Sequence, residues 1–203
     1  VNHILDLQKL DIHGCKLQTL DVTEKGKLTW LDASANELTA INVTQNNLLE
    51  HLNLADNGLS VINVRNNTAL TYFNINNNTA INTVNVTKNT ALTELYVNNM
   101  AITELNISNN TLLSKLECHT NSNLITLICN DAFDFTTTFV SIDKGIQLLN
   151  TKGEFLIPEI GDLICVSRGV GVVFSTSSNG SFRIVSVTET RGSWDYAKTW
   201  CSN

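Results

Sequence analysis

The stretch Leu28-Thr29-Trp30-Leu31-Asp32-Ala33-Ser34-Ala35-Asn36-Glu37-Leu38 decides the fold, because its pattern keeps returning. It comes back as Leu49-Glu50-His51-Leu52-Asn53-Leu54-Ala55-Asp56-Asn57-Gly58-Leu59. Further copies occupy residues 70–78, 92–102 and 113–121, and an earlier one residues 7–17. The shape is L-x-x-L-x-L-x-x-N-x-L. Self-similarity at a fixed period marks a chain built from stacked units, none of which buries its apolar face alone.

Aligning the copies reveals two interleaved series of anchors. One is Leu10, Leu31, Leu52, Phe73, Leu95 and Leu116; the other is Leu20, Ile41, Ile62, Val84, Leu105 and Leu127. Each recurs at a period of about 21 residues, within the range of stacked-repeat architectures. Each anchor opens an apolar–polar–apolar triplet, such as Leu31-Asp32-Ala33 or Ile41-Asn42-Val43, and alternation at period two signals a short strand. The spacing therefore predicts a mainly β solenoid with two short parallel strands per coil. Asparagine recurs at both corners: Asn36, Asn57, Asn78 and Asn121 after the first strand, Asn46, Asn67, Asn89 and Asn110 after the second. An amide has two donors and an acceptor, so it can satisfy backbone groups where the ladder stops. Cys15 and Met100 interrupt the first corner series. The same pattern produces glycosylation-like sequons at Asn42, Asn66, Asn77, Asn85, Asn106 and Asn109, which repeat geometry already explains.

With 203 residues the chain can bury a sizeable core. Hydrophobic residues make up 42% and mean hydropathy is +0.01, which fits a soluble folded chain. A net charge of −6 argues against a nucleic-acid backbone or an anionic membrane as partner. No apolar run is long enough to span a bilayer. Val1, Asn2, His3 and Ile4 do not resemble a leader, so any export signal is expected upstream. The five cysteines have neither a disulfide-framework pattern nor zinc spacing. Cys15, Cys118 and Cys129 fall at repeat positions and are expected to be small buried side chains.

Regularity fails after Cys129. Residues 131–139 are aromatic and off the period, and are expected to cap the open core. Strands are expected over 161–166, 170–174 and 181–187. A hairpin turn is expected at Ser177, Ser178, Asn179 and Gly180, because Asn-Gly tolerates positive φ. Ser193 suits the N-cap of a short helix over 194–201. The expected organisation is a solenoid over 1–130, a capping segment over 131–160 and a small β-rich region with one short helix over 161–203.

These features resemble a known family. The short two-strand coil is similar to the leucine-rich repeats of bacterial surface proteins, of the internalin-J-like kind and of the related Bacteroidetes lipoproteins. The resemblance covers roughly residues 5–130. It implies a leucine-rich-repeat solenoid, an extracellular address at the outer cell surface, and cysteines replacing core residues. The tail resembles the opening of a Bacteroidetes domain related to the C-type-lectin-like fold. That likeness is carried by Gly171-Val172-Val173-Phe174, by Ile184-Val185-Ser186-Val187-Thr188-Glu189, and by Trp194, Ala197, Trp200 and Cys201.

Stacking places equivalent outward residues in columns about 4.8 Å apart. Beside the first anchors run Lys9, Trp30, His51, Tyr72, Glu94 and Lys115, then Asp11, Asp32, Asn53, Asn74, Tyr96 and Glu117. The second face is a plainer array of Thr and Asn, including Thr23, Thr44, Arg65, Thr87 and Ser108. A binding surface is therefore expected on the first face, at Trp30, His51, Tyr72 and Tyr96 with the charged residues Asp32, Glu94 and Lys115. Aromatic anchors suit a protein partner and also stack on sugars. The expected function is non-catalytic recognition of a protein or glycan on a host or neighbouring cell, with a structural spacer as the remaining alternative. No Ser, Cys, His and carboxylate spacing suggests a nucleophilic triad, and Gly169-Val170-Gly171 precedes no helix. No oxygen-rich loop suggests calcium. The expectation is a monomer with no enzyme activity, cofactor or metal.

Overall fold

The computed structural model describes residues 6–133, 138–142, 146–154, 163–166, 169–176 and 182–187. Among them, the first anchor series builds one sheet. Its strands are β1 (Lys9–Asp11), β2 (Trp30–Asp32), β3 (His51–Asn53), β4 (Tyr72–Asn74), β5 (Glu94–Tyr96) and β7 (Lys115–Cys118), all parallel and in register. Leu10, Leu31, Leu52, Phe73, Leu95 and Leu116 face one another across these ladders. A parallel pair with no slip repeats each side chain on the same face, so the apolar column stays inside. From Leu31 to Leu116 the anchors are fully buried, each contributing roughly 2 kcal/mol of transfer free energy. Leu10, in the edge strand, is only partly buried because it has one neighbouring strand.

The second series pairs over a shorter stretch. β6 (Glu104–Asn106), β8 (Thr126–Ile128) and β10 (Gln147–Leu149) form a three-stranded parallel sheet, and an isolated bridge joins Asn85 to Asn106. At Leu20, Ile41 and Ile62 the chain turns back without a ladder. Clefts open between coils on that side, one of them lined by Ile62, Asn63, Arg65, Asn85, Thr87 and Lys88. The anchors there are accordingly only partly covered.

Side-chain amides join the coils at both corners. At the first, Asn78 Oδ1 accepts from Leu59 N at 3.0 Å, while Nδ2 donates to Leu54 O at 3.0 Å and Ile75 O at 2.9 Å. Asn36, Asn57 and Asn121 repeat that arrangement. The second corner is simpler. Asn67 Nδ2 donates to Val43 O at 2.9 Å and Asn46 O at 2.8 Å, but the buried Oδ1 of Asn46, Asn67, Asn89 and Asn110 accepts no hydrogen bond. Lys25, 2% exposed, fills this position in the first coil. Every first corner has a left-handed residue at the same position, Gly14, Ala35, Asp56, Asn77, Asn99 and Thr120, with φ between 53° and 65°, and the first coil has a second one at Lys16. Gly14 takes that conformation without strain, whereas β-branched Thr120 does not.

The sequons reflect turn geometry. Asn42 Oδ1 accepts from Thr44 N at 3.1 Å and Thr44 Oγ1 at 2.7 Å, and Asn85 with Thr87 and Asn106 with Ser108 do the same. An Asn with a hydroxyl two residues on is thus the turn by which three of the coils leave the second anchor, with Asp21 and Thr23 doing the same in the first.

Both ladders run on past residue 130. β9 (Phe139–Ile142) pairs with β7 and places Val140 opposite Leu116, while Leu148 of β10 lies opposite Leu127. β11 (Leu163–Val166) adds to β9 in parallel, and β12 (Gly169–Thr176) and β13 (Phe182–Val187) follow antiparallel, with a register irregularity between Val173 and Ser175. The hairpin turn at 177–180 and the short helix at 194–201 lie outside the described residues.

One cysteine expectation is corrected. Cys118 and Cys129 are buried, but Cys15 is exposed. Cys15 belongs to the coil of the edge strand β1, so among the described residues its corner has a neighbouring coil on one side only, whereas Asn36 and Asn78 are covered from both sides. Cys15 Sγ instead lies 3.5 Å from His13 O on the surface.

Candidate functional site: an aromatic ladder on the first sheet

In each triplet of the first sheet the anchor points inward, so the residues on either side of it point outward. In-register pairing sets Trp30 opposite His51 and His51 opposite Tyr72. The strand spacing is close to the thickness of two stacked rings, and stacking results. Trp30 and His51 have ring centroids 4.8 Å apart with an interplanar angle of 10°; His51 and Tyr72 are 4.2 Å apart at 9°. Tyr72 is paired with Glu94, and Tyr96 lies opposite Asn74, so the last step crosses one column. Tyr96 meets Tyr72 at 5.3 Å, tilted 43°.

A lysine closes each end. Lys9 Nζ sits 4.1 Å from the Trp30 ring centroid and Lys115 Nζ 4.8 Å from that of Tyr96, within cation–π range. Trp30 and His51 are thus contacted on both faces, while Tyr72 and Tyr96 meet each other at a tilt and Lys115 lies over the Tyr96 ring.

A polar row holds this ridge. Tyr96 Oη donates to Glu94 Oε2 at 2.5 Å, and Lys115 Nζ pairs with Glu117 Oε1 at 3.0 Å. Asn98 Nδ2 reaches Glu117 Oε2 at 3.3 Å. Asp32 accepts from Ser34 Oγ at 2.6 Å and from Asn53 Nδ2 at 2.9 Å, and Asn74 Nδ2 lies 3.4 Å from Tyr72 Oη. Burial lowers the pKa of the His51 imidazole below its ordinary value; Asp32 and Glu94 pull the other way, and Lys9 adds to the lowering. Burial raises the Tyr72 and Tyr96 hydroxyls. Hydrogen bonds to Glu117 and Tyr96 raise the Lys115 ammonium, which stays charged.

The structure brings all seven residues singled out from the sequence onto this face: Trp30, His51, Tyr72 and Tyr96 as the ladder, Glu94 and Lys115 at its far end, and Asp32 beside Trp30. Glu117, Asn53 and Asn98, which fix those groups, were not singled out; their signal was membership of the neighbouring outward columns. Among the described residues no group of three His, Cys, Asp or Glu is placed to hold a metal ion. No helix among them is long and apolar enough to cross a membrane.

Stacked short coils with in-register parallel strands and asparagine corners define a leucine-rich-repeat solenoid. No family model and no curated protein matches the sequence. Solved structures do. The functional domain of InlJ from Listeria monocytogenes, which includes a cysteine ladder, aligns with a TM-score of 0.56 at 31% identity, over 71% of this chain and 40% of that one. A leucine-rich-repeat protein of Leptospira interrogans aligns with a TM-score of 0.52 at 19% identity, over 76% of this chain and 45% of that one, a likeness that concerns the fold alone. The chain is thus a leucine-rich-repeat solenoid similar to the InlJ domain, and it spans under half the length of either neighbour. Cys118 and Cys129 stand in different core columns here, one in each series, and so do not stack on each other.

Proposed function

We propose that this chain is a non-catalytic recognition module, displayed outside a bacterial cell, that docks a protein partner on the first sheet face. Trp30, His51, Tyr72 and Tyr96 would supply the contact ridge, with Asp32, Glu94 and Lys115 setting charge complementarity around it. The observation that carries this reading is the coverage of the ring faces. A sugar stacks its C–H face on an open aromatic face, and here the rings already pack on one another, Trp30 on His51 and His51 on Tyr72, with Tyr96 tilted against Tyr72 and a lysine over each end ring. What is left is a fixed ridge of edges with polar tips, which suits packing into a groove of another protein. Rigid aromatics lose little side-chain entropy on binding, and such groups concentrate interface energy.

The test compares the wild type with the Trp30→Ala/Tyr72→Ala/Tyr96→Ala variant in a surface-protein pull-down and on a glycan array. Capture of a protein by the wild type alone, weakening with salt, supports the reading. A glycan signal lost in the variant would replace it with sugar binding. No binding above background by either chain in either assay would leave the module as a spacer, and equal capture by both would move the docking site off the aromatic ridge.

A further inference from the structure

The second face is a plain Thr and Asn array except at one place. Between the coil that starts at Leu49 and the coil that starts at Leu70 lies a cleft of about 200 Å³ lined by Ile62, Asn63, Arg65, Asn85, Thr87 and Lys88. Arg65 stands in the column otherwise filled by Thr23, Thr44, Thr87 and Ser108. Lys88 stands in the column of Glu24, Gln45, Asn66 and Asn109. Two departures from the repeat, on adjacent coils, thus place two cations on one cleft.

The cations are not used internally. The ion pairs among the described residues are His13 with Asp11, Lys27 with Asp6 and Lys115 with Glu117, so Arg65 and Lys88 have no carboxylate partner there. The amide oxygens of the lining are already occupied. Asn63 Oδ1 accepts from Arg65 N at 3.2 Å, and Asn85 Oδ1 accepts from Thr87 N at 3.1 Å and Thr87 Oγ1 at 2.7 Å. Those turns fix the orientation of each amide, and neither Nδ2 has a partner among the described residues. The Thr87 hydroxyl hydrogen is committed to Asn85. The cleft therefore presents a guanidinium, an ammonium and two amide N–H₂ groups, with no carboxylate in its lining.

The next cleft along provides the contrast. It shares Asn85 and Thr87 but is lined by Glu104 and by no cation. The donor-rich character thus distinguishes this gap from its neighbour, on a chain whose net charge is −6.

We propose that this cleft binds a small oxyanion group, such as sulfate, phosphate or carboxylate. The Arg65 fork supplies paired donors, Lys88 a point charge, and Asn63 and Asn85 neutral N–H bonds. A guanidinium matches the oxygen spacing of such groups, and donors without competing acceptors favour an anion over a neutral ligand. The site is open to solvent, so binding is weak alone and falls with salt. It is independent of the aromatic face and stands or falls separately.

The test is an amide NMR titration of the whole chain with sodium sulfate, sodium phosphate and sodium acetate, against sodium chloride at matched ionic strength. The expected result is saturable shifts of the Asn63 and Asn85 side-chain N–H₂ and of Arg65 Nε, with a dissociation constant on the order of millimolar. In Arg65→Thr/Lys88→Asn the affinity drops at least tenfold. That variant installs residue types the neighbouring coils already carry, so unchanged β2–β5 resonances confirm that it folds. Lys152→Gln, which removes a cation elsewhere, should bind like the wild type. A heparin-derived sulfated disaccharide separates the sources: tenfold tighter binding than inorganic sulfate assigns the group to a sugar, and equal affinity to a free ion. Shifts that do not saturate, that chloride reproduces, or that persist in the double variant overturn the proposal.

Discussion

His51 and Tyr72 stack with ring centroids 4.2 Å apart and planes 9° from parallel, although a full coil of chain separates them. The contact exists because β3 and β4 pair in register, and it makes His51 an inner rung of the ladder, between Trp30 and Tyr72. Face-to-face burial removes water from the imidazole, which disfavours its charged form.

That burial gives a pH dependence with a definite sign. The folded pKa of His51 lies below the ordinary 6.5, so the native state binds this proton less tightly than the unfolded chain. Its contribution to stability is fully present above about pH 6.5 and is lost as pH falls through that value toward the folded pKa. His13 has the opposite sign, because its hydrogen bond to Asp11 raises it, so its effect is present below pH 6.5 and is lost as pH rises. Proton NMR titration of the ring Hε1 signals should give His51 the lower midpoint and His13 the higher. A reversed order would mean the ladder does not desolvate His51.

The stacking should be measurable as a coupling energy. A double-mutant cycle with His51→Ala and Tyr72→Ala in urea melts is expected to show about 0.5–1.5 kcal/mol of interaction beyond the two single losses. Strict additivity would show that the rings merely share a surface.

The two asparagine corners should differ in cost. Asn78→Ala strands Leu59 N and Ile75 O, whereas Asn67→Ala orphans neither of its acceptors, because Val43 O keeps Asn46 N and Asn46 O keeps Leu49 N. An orphaned buried group costs roughly 1–3 kcal/mol. The Asn78 variant should therefore be less stable than the Asn67 variant by about 1 kcal/mol or more. Equal denaturation midpoints would count against the extra bond at the first corner.

Thr120 offers a stabilising change. It holds φ at 61° with a β-branched side chain, where Asn77 and Asn99 fill the same column. Asn99 Nδ2 donates to Asn77 Oδ1 at 3.0 Å and Asn77 Nδ2 to Asp56 Oδ1 at 2.7 Å. Thr120→Asn should relieve the strain and let the introduced amide reach Asn99, raising stability by about 0.5–1 kcal/mol in a thermal or urea melt. A lower midpoint would show that the strain is already relaxed.

Thiol labelling should separate the repeat cysteines. Cys15 is exposed, whereas burial pushes the Cys129 thiol up to about 12 and Cys118 is fully covered. Peptide mapping after brief alkylation at neutral pH should find Cys15 modified, and Cys118 and Cys129 modified only after denaturant is added.

The sequence by itself determined the repeat, the inward anchors, the asparagine corners and the outward columns. Each of these is a periodic property: strand alternation with period two, multiplied by a nearly constant coil length, fixes which side chains face in and which line up. Trp30, His51, Tyr72 and Tyr96 could therefore be placed on one face from spacing alone. Only the tertiary structure decided what those rings present. Whether a ring offers its face or its edge depends on side-chain rotation and on what sits one strand away, and Lys9 and Lys115 lie over the rings at opposite ends. Cys15 came out on the surface because its coil lies at the edge of the described stack, which its place in the motif does not tell. Arg65 and Lys88 looked like ordinary members of a polar column until the second-face coils proved to be separated by clefts there. Periodicity sets direction and register; the spacing between coils and the competition among side chains for each contact emerge only when the stack is assembled.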